Sequence, residues 1–525
     1  KNITKWSCAE PMLVWDAGYD LAPTWSPEYF VSADLHQWPR TRPLRLRFDQ
    51  FGHPHASAED VKQVEVRDFS PIRQARSSPF CAVQVVIRSN EDDARATGAP
   101  GNLFSRPALI PAHGGHIELN LRVNERVSKE PDLESVGSWL RFARVRSALL
   151  SRHHGKPTYL SAVVLLPEGY GESPSRRYPT IYQVPGFGNT LSHLCSRAKS
   201  LRGAIPESNS RGVRFLRVLL DASSAQGHHL FADSANNGPV GEALMKELIP
   251  HLEEQFRAVR AGRARFLVGH SSGGWSALWL QVKYPTLFGG AWSVGPDPIT
   301  YSHFLGMNIY QDRSAHHDEA GRRRALVRLS TTYAKSIEGY RWYEELRGPG
   351  GQLRSLEAAF SPADQAGQPV PLFNLTTGRF NPLAVASWRK YDIVNRLKTD
   401  WALIGHRLSG KLHVYAAASD AFNLKAPVVA LRQALPSLAG HAATVMVQDK
   451  RNSGSTGSHF DLMHAAFMLQ IRRMMTSAYL KKRGGANRGI AEQLVPKSGL
   501  LAWSTLKDVP KIPQDALRAL ELFLV

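Results

Sequence analysis

Hydrophobic residues follow two different patterns along the chain. Up to about residue 150, short apolar runs such as 44–48 and 82–87 are separated by clusters of proline and glycine. This pattern is typical of a small β-rich, sandwich-like domain. From about residue 159, continuous apolar runs alternate with amphipathic stretches. Because continuous apolar runs suit strands buried on both faces, the second pattern predicts an α/β fold with a mainly parallel sheet flanked by helices.

The elements of the second region follow from these runs. Strands are predicted at 160–166, 180–184, 215–220, 265–268, 290–294, 412–417 and 443–447. Helices are predicted at 239–256, 273–283, 427–435 and 464–481.

The same patterns suggest three segments: a β-rich domain at 1–150, an α/β domain at 151–484 and a C-terminal extension at 485–525. A polar, basic stretch at 300–405 interrupts the strand–helix rhythm of the second segment. We favour a cap insertion over the functional site, since long insertions often shape binding sites. A long helical excursion is the alternative.

Composition excludes several classes of protein. With 43% hydrophobic and 21% charged residues, the chain has enough apolar material for large cores and is not mainly disordered. It has no apolar run of 18 or more residues, so no membrane span is expected. No signal peptide is visible, as in a mature form from which one has been removed. The three cysteines, Cys8, Cys81 and Cys195, exclude a disulfide scaffold and lack zinc-site spacing.

The net charge of +20, with a pI near 9.9, has two interpretations. One is attraction to a polyanion, such as an anionic surface or an acidic polysaccharide. The other, which we favour, is a solubilising surface rich in arginine. The basic residues are spread along the whole chain without a nucleic-acid-binding signature, so no nucleic-acid partner is expected.

The strongest chemical signal lies at residues 266–274, which are Phe-Leu-Val-Gly-His-Ser-Ser-Gly-Gly. Ser271 is the centre of a Gly-x-Ser-x-Gly motif between a predicted strand and a predicted helix. A nucleophilic serine needs this placement, because a tight, strained turn projects its hydroxyl above the sheet. The helix N-terminus then offers N–H donors to a developing oxyanion. Ser271 is the predicted nucleophile and Ser272 its rival; a Gly-rich turn that happens to hold serines is the alternative.

A serine nucleophile needs a general base, and the base needs an acid that orients it. In this architecture the acid and then the histidine follow the serine in the chain. Asp420 lies just beyond the strand predicted at 412–417 and is the candidate acid. A turn or helix N-cap role is the alternative for Asp420, and Asp297 is the alternative acid.

The candidate base is His459, which ends a polar Gly/Ser loop at 452–458 immediately before a helix. Its rival, His464, is expected on the helix itself.

An oxyanion hole needs two backbone donors. One is expected from Ser272, the residue after the nucleophile, and the other from the loop after an early strand. The strand predicted at 180–184 is followed by Pro-Gly-Phe-Gly at 185–188, so the N–H of Phe187 is the candidate second donor. A plain strand-ending turn is the alternative.

A weaker cluster of polar residues comprises His228, His229 and Asp233. Their spacing fits no strong metal template, so we expect structural or pocket-lining roles and no metal.

At this point a resemblance is evident. The stretch from 159 to about 482 resembles the bacterial putative-esterase family of α/β-hydrolases, which includes esterase D (S-formylglutathione hydrolase), feruloyl esterases, enterochelin esterases and mycolyl transferases. The matching pieces are 165–170, 178–182, 231–239, 268–274, 284–289 and 459–460. Residues 10–150 are similar to the leader domain of larger members. The resemblance places the family triad on Ser271, Asp420 and His459.

The sequence departs from the family pattern at two places, and these differences leave the substrate less well defined than the mechanism. The chain has Pro-Gly at 185–186 where the family often has His-Gly, and Ala-Ala-Ser-Asp at 417–420 where the family commonly has Gly-Asp-x-Asp. A backbone donor needs no particular side chain at Pro185, so the oxyanion hole is expected to survive.

The sequence therefore predicts a serine carboxylic-ester hydrolase that needs no cofactor and acts on a small-molecule or glycan-linked ester. An acyltransferase with the same triad and a non-catalytic binding protein for anionic glycans are the alternatives; a peptidase is less favoured. The family resemblance implies a secreted or periplasmic location. The oligomeric state does not follow from the sequence.

Overall fold

The computed structural model describes the N-terminal ranges 2–7, 29–33, 46–48, 54–56, 80–87, 101–105, 108–111 and 123–126, and then 138–189, 213–328, 334–347, 349–435, 443–448 and 465–481. The chain forms two compact units. One comprises Lys1–Pro131, Ser224–Gly227 and Arg323–Ser355, and the other comprises Asp132–Ser223, His228–Arg322 and Leu356–Val525.

The strands, numbered in chain order, are β1 Asn2–Ser7, β2 Tyr29–Ala33, β3 Leu46–Phe48, β4 Pro54–Ala56, β5 Phe80–Ile87, β6 Leu103–Ser105, β7 Ala108–Pro111, β8 Val123–Arg126, β9 Leu140–Ser147, β10 Thr158–Leu165, β11 Thr180–Val184, β12 Leu216–Leu220, β13 Ser223–Ser224, β14 Gly227–His228, β15 Arg265–His270, β16 Gly290–Val294, β17 Ala325–Arg328, β18 Ala334–Ser336, β19 Leu412–Ala417 and β20 Ala443–Gln448.

The α-helices are α1 Ala148–His154, α2 Val240–Ala243, α3 Ile249–Gln255, α4 Ser272–Lys283, α5 Ile337–Arg347, α6 Gln352–Phe360, α7 Pro382–Trp388, α8 Ile393–Leu408, α9 Lys425–Ala434 and α10 Ala465–Lys481. A π-helical turn, Leu244–Leu248, joins α2 to α3, and short 3₁₀ turns lie at Gly262–Ala264, Tyr301–His303 and Arg389–Tyr391.

The first unit is rich in β-structure, as its apolar pattern predicts. Its described strands form a six-stranded sheet in the order β2-β1-β5-β6-β8, with β7 paired to β5. Every pairing in this sheet is antiparallel. The sandwich arrangement stays a prediction.

The second unit is built on an eight-stranded sheet in the order β20-β19-β16-β15-β11-β12-β10-β9. The pairs from β12 through β11, β15, β16 and β19 to β20 are parallel, whereas β10 is antiparallel to both of its neighbours. Helices cover this sheet, so the predicted mainly parallel sheet flanked by helices is confirmed. Because the six parallel strands point the same way, their carboxyl ends meet at one edge, where the functional loops are expected.

The core explains the continuous apolar runs in the strands. Side chains alternate between the two faces of a strand, and here both faces are covered. Val163 packs in the core on the face covered by α10, while Val164 packs on the face covered by α3 and α4. Both side chains are fully buried.

One strand of this sheet, β9, lies at the edge and was not predicted. Its sequence, Leu-Arg-Phe-Ala-Arg-Val-Arg-Ser, mixes apolar and basic residues, and Arg141, Arg144 and Arg146 are exposed. Charged side chains on an edge strand discourage pairing with another chain. The local pattern therefore reflects the strand's edge position rather than burial on two faces.

The parts of the predicted cap region that belong to the second unit, 300–322 and 356–405, pack against its sheet and helices through aromatic rings. Trp275 on α4 lies 4.8 Å from Phe360, and Phe360 lies 5.1 Å from Trp388 (ring centroids). Asp392 caps α8, accepting the N–H of Asn395 through Oδ1 at 2.8 Å, while its Oδ2 accepts the Tyr310 hydroxyl at 3.0 Å. The contact between Phe360 and Trp275 joins these parts to α4, the helix that follows Ser271. The role of 300–405 as a cap over the site stays a prediction.

No helix within the described ranges is long and apolar enough to cross a membrane.

Candidate active site

Ser271 lies at the sharp turn between β15 and α4. Its φ of 55° and ψ of −124° are unusual for a residue with a side chain. Such a conformation costs of order 1–3 kcal/mol and persists only where its surroundings enforce it. Here the N–H of Ser271 donates to Val294 O at 3.0 Å, and its carbonyl accepts the N–H of Trp275 at 3.0 Å. The predicted strained turn is therefore confirmed, and Ser271 stands at the carboxyl edge of the sheet.

The glycines of the motif make this turn sterically possible. A Cβ on Gly269 would overlap the carbonyl oxygen of Gly273, across the turn. A Cβ on Gly273 would overlap the carbonyl oxygens of Val184 and Pro185. Gly273 thus lets α4 pass directly over the end of β11, which brings the nucleophile candidate next to the loop after β11.

That loop, residues 185–189, lies against Ser271. A Cβ built on Gly186 would be 3.5 Å from the Cβ of Ser271 and 3.3 Å from the carbonyl oxygen of His270. The carbonyl of Gly186 accepts hydrogen bonds from the Asn189 side-chain nitrogen at 3.2 Å and from the Asn189 N–H at 3.4 Å. The predicted donor residue Phe187 therefore belongs to a folded loop beside the serine.

Ser272, the other predicted donor, is the first residue of α4. An N–H in the first turn of a helix has no acceptor within the helix. It also sits at the positive end of the helix dipole. Ser272 is thus placed to donate to an anionic oxygen near Ser271.

Asp297 lies directly beside the two serines. Its Oδ2 accepts the Ser272 hydroxyl at 2.6 Å, and its Oδ1 lies 3.4 Å from the Ser271 hydroxyl. Its own N–H donates to the carbonyl of Ser271 at 3.2 Å. The side chain is buried, with 4% of its surface exposed. The alternative acid considered from the sequence is therefore more than a turn residue: it contacts the candidate nucleophile itself.

Asp420 lies three residues beyond the end of β19. Because β19 pairs in parallel with β16, and β16 with β15, Asp420 follows a strand that ends at the same sheet edge as Ser271. Its Oδ1 accepts the N–H groups of Phe422 at 2.8 Å and of Leu424 at 3.2 Å. These bonds shape the loop before α9, so the turn role considered for Asp420 is present.

The helix N-cap role considered for Asp420 is wrong. The N-cap of α9 is Leu424, because the helix begins at Lys425 rather than at residue 427. Asp420 stays the predicted triad acid.

The predicted base, His459, lies outside the described residues, as do the loop at 452–458 and the rival His464. Its role therefore stays a prediction.

His228 and His229 are buried and bonded to the backbone. Nδ1 of His228 accepts the N–H of Leu230, and Nδ1 of His229 accepts the N–H of Phe231, each at 3.1 Å. Burial lowers the pKa of His228 to about 4 and that of His229 to about 3, so both rings are neutral at pH 7.

Asp233 has a different environment. Its Oδ1 accepts the N–H groups of Gly241 at 2.7 Å and of Glu242 at 3.0 Å, and its carboxylate pairs with Lys283. The described part of the chain contains no group of three side chains that could hold a metal ion. The structural role expected for these residues agrees with their contacts.

Several solved hydrolase structures are similar to the chain. A ferulic acid esterase has 12% identity, a TM-score of 0.38, and coverage of 65% of this chain and 97% of that chain. An S-formylglutathione hydrolase from Agrobacterium tumefaciens has 14% identity, a TM-score of 0.38, and coverage of 65% of this chain and 95% of that chain. A fluorophosphonate-binding serine hydrolase from Staphylococcus aureus has 12% identity, a TM-score of 0.37, and coverage of 65% and 98%.

No curated protein sequence matches the chain. Residues 158–322, however, match the model of a family described as putative esterase. The matched segment contains the loop after β11, the turn at Ser271 and the carboxylate of Asp297. This segment, which builds the part of the candidate active site around Ser271, is thus similar to the putative esterase family, and the match supports an esterase enzyme.

Proposed function

We propose that the protein is a serine carboxylic-ester hydrolase and that Ser271 is its nucleophile. The observation that carries the proposal is the strained backbone of Ser271 at the carboxyl end of β15, with Gly186 packed against it. This placement raises the hydroxyl above the sheet and sets it beside a loop whose N–H groups can stabilise an oxyanion. The dipole of α4 and the geometry of the turn thus both favour an oxyanion beside the Ser271 hydroxyl.

In the proposed first half-reaction, the Ser271 hydroxyl attacks the ester carbonyl. His459 accepts the hydroxyl proton as general base, and Asp420 orients the imidazole and stabilises its cation. The N–H groups of Phe187 and Ser272 bind the oxyanion of the tetrahedral intermediate. When the intermediate collapses, the imidazolium returns its proton to the departing alcohol, which leaves an acyl group on Ser271.

In the second half-reaction, water replaces the alcohol. His459 removes a proton from the water as it attacks the acyl-enzyme, and the same two N–H groups hold the second oxyanion. When this intermediate collapses, its bond to the Ser271 oxygen breaks and the imidazolium of His459 returns its proton to that oxygen. The products are a carboxylic acid and the regenerated serine. This sequence of steps needs only side chains, backbone donors and water.

The test compares two adjacent serines. Ser271→Ala should lower the turnover of p-nitrophenyl acetate by several orders of magnitude and abolish labelling by a fluorophosphonate probe. Ser272→Ala should retain turnover within about tenfold of wild type and keep the labelling, since its backbone N–H is preserved. If Ser271→Ala hydrolysed the ester at the wild-type rate, the assignment of the nucleophile would be wrong.

A panel of acetyl, feruloyl and longer-chain esters should then define the acyl specificity. Added alcohol acceptors would separate hydrolysis from acyl transfer, because a transferase forms a new ester where a hydrolase forms the free acid.

A further inference from the structure

A buried histidine joins the oxyanion loop to a strained turn. Nε2 of His228 lies 2.9 Å from the carbonyl oxygen of Pro185, and its Nδ1 accepts the N–H of Leu230. Because Nδ1 accepts a hydrogen bond, it carries no proton in the neutral ring. The ring proton is therefore on Nε2, which donates to Pro185 O. His228 is 4% exposed, and burial lowers its pKa to about 4, so the ring keeps this neutral form at pH 7.

The turn on the other side of His228 has an uncommon backbone. Leu230 and Phe231 have φ values of 56° and 50°, in the left-handed region that residues with side chains rarely adopt. The rings of His228 and His229 each accept an N–H from this turn. A rigid turn of this kind fixes the position of the His228 ring, which bonds the loop after β11 through Pro185 O.

The next peptide of the loop is anchored as well. Gly186 O accepts both the side-chain nitrogen and the N–H of Asn189. The carbonyls of two consecutive trans peptides, Pro185–Gly186 and Gly186–Phe187, are thus both held. In a trans peptide the N–H points away from the carbonyl, so anchoring Gly186 O also fixes the direction of the Phe187 N–H.

We propose that His228 is a positioning residue for ester hydrolysis: its Nε2–H holds the Pro185 carbonyl and so fixes the Pro185–Gly186 peptide, from which the Gly186–Phe187 peptide continues and presents its N–H to the oxyanion formed at Ser271. The inference rests on the proposed function. It assigns His228 no proton transfer and no contact with substrate. The expected effect of losing this hydrogen bond is therefore on transition-state stabilisation and not on substrate binding.

Three substitutions separate positioning from simple structural support. His228→Asn places an amide oxygen near the Nδ1 position, so it keeps the acceptor for Leu230 and loses the donor to Pro185. His228→Gln places an amide nitrogen near the Nε2 position and keeps that donor. His229→Asn is the matched control, because His229 is equally buried, at 4% exposed, and its Nδ1 bonds the same strained turn.

With p-nitrophenyl acetate, kcat of His228→Asn should fall about 10- to 100-fold while KM stays within about threefold of wild type. His228→Gln should retain most of the wild-type kcat, and kcat of His229→Asn should stay within about threefold of wild type. Inhibition by a trifluoromethyl ketone, whose hemiketal adduct with the nucleophilic serine carries an oxyanion, should weaken in parallel with kcat/KM. If His228→Asn is insoluble, His228→Met, which fills the ring's volume without a donor, takes its place.

The outcomes distinguish the two proposals. Wild-type turnover that disappears in Ser271→Ala establishes the hydrolase first. If kcat of His228→Asn is then similar to that of His229→Asn, only the role of His228 is refuted. The same holds if KM of His228→Asn rises while its kcat stays at the wild-type value. If the wild-type enzyme has no Ser271-dependent ester turnover, the proposed function fails, and the inference that rests on it fails too.

Discussion

The Ser272 hydroxyl donates a 2.6 Å hydrogen bond to the buried carboxylate of Asp297. The same carboxylate lies 3.4 Å from the hydroxyl of Ser271, and the N–H of Asp297 donates to the carbonyl of Ser271. Asp297 therefore contacts the candidate nucleophile through its side chain and its backbone. An ionised carboxylate only accepts hydrogen bonds, so it can serve both hydroxyls at once.

The first prediction concerns this carboxylate. In Asp297→Asn, one of the two side-chain acceptors becomes a donor, so one serine hydroxyl loses the oxygen to which it donates. Hydrogen bonds to charged groups contribute roughly 1.5–3 kcal/mol to stability. Because Asp297 then holds the turn at Ser271 less firmly, kcat/KM for p-nitrophenyl acetate should fall about 10-fold or more. Ser272→Ala removes only one of the two bonds and should cost less. Equal activity in Asp297→Asn and wild type would mean that the carboxylate has no part in catalysis.

The second prediction concerns the close passage of α4 over β11. A Cβ on Gly273 would overlap the backbone oxygens of Val184 and Pro185, which cannot rotate away. Gly273→Ala should therefore lower the free energy of unfolding by at least about 1–3 kcal/mol, the usual cost of overpacking. Gly171, whose added Cβ would meet nothing within 4 Å, is the control, and Gly171→Ala should stay within about 0.5 kcal/mol of wild type. Urea unfolding measures the free energy of unfolding of both variants. Equal stability of Gly273→Ala and Gly171→Ala would contradict the close packing of α4 on the end of β11.

Much of this arrangement is predictable from the sequence. The strands at 180–184, 290–294 and 412–417 have the predicted bounds, because each is a continuous apolar run covered on both faces. The turn at Ser271 is predictable too, since only glycines fit at its close approaches. In both cases a local pattern determines the structure.

Other features could not be predicted, because they depend on contacts between distant segments. The edge strand β9 carries exposed arginines, so its sequence lacks the apolar run by which the other strands are identified. The contact of Asp297 with two serines depends on the chain direction after β16, where Gly295 has a φ of 47°. The bond between His228 and Pro185 joins residues 43 positions apart, and the spacing of His228 and His229 gives no indication of it.

The third prediction is a dependence of stability on pH. Burial lowers the pKa of His229 to about 3, whereas an unfolded histidine has a pKa near 6.5. Between these values the unfolded chain binds a proton that the folded chain does not, so the free energy of unfolding rises with pH. His229 should thus destabilise the fold increasingly as the pH falls below about 6.5, by about 3 kcal/mol at pH 4.

His229→Asn tests this dependence. Asparagine keeps an acceptor for the N–H of Phe231 but does not ionise. Urea unfolding at pH 7, 5.5 and 4 should show a smaller loss of stability in the variant than in wild type. If both proteins lose the same free energy between pH 7 and pH 4, His229 is not the group that resists protonation in the folded state.

The fourth prediction separates the function of the loop after β11 from its stability. A Cβ on Gly186 would lie 3.3 Å from the carbonyl oxygen of His270 and 3.5 Å from the Cβ of Ser271, distances that a shift of a few tenths of an ångström relieves. Gly186→Ala should therefore fold with a stability close to wild type, in contrast to Gly273→Ala. The added methyl group, however, occupies the space between the loop and the nucleophile, where the acyl carbonyl must enter.

We expect Gly186→Ala to lower kcat/KM about 10- to 100-fold, because a small displacement of the carbonyl from the N–H donors is costly in the transition state. The loss should be greater for a feruloyl ester than for an acetyl ester, since a bulkier acyl group has less freedom to shift around the methyl group. Thermal unfolding of one preparation measures its stability, and turnover of the two esters by the same preparation measures kcat/KM. A variant with wild-type stability and wild-type turnover of both esters would place the oxyanion donors elsewhere, because no acyl carbonyl could then lie between Gly186 and Ser271.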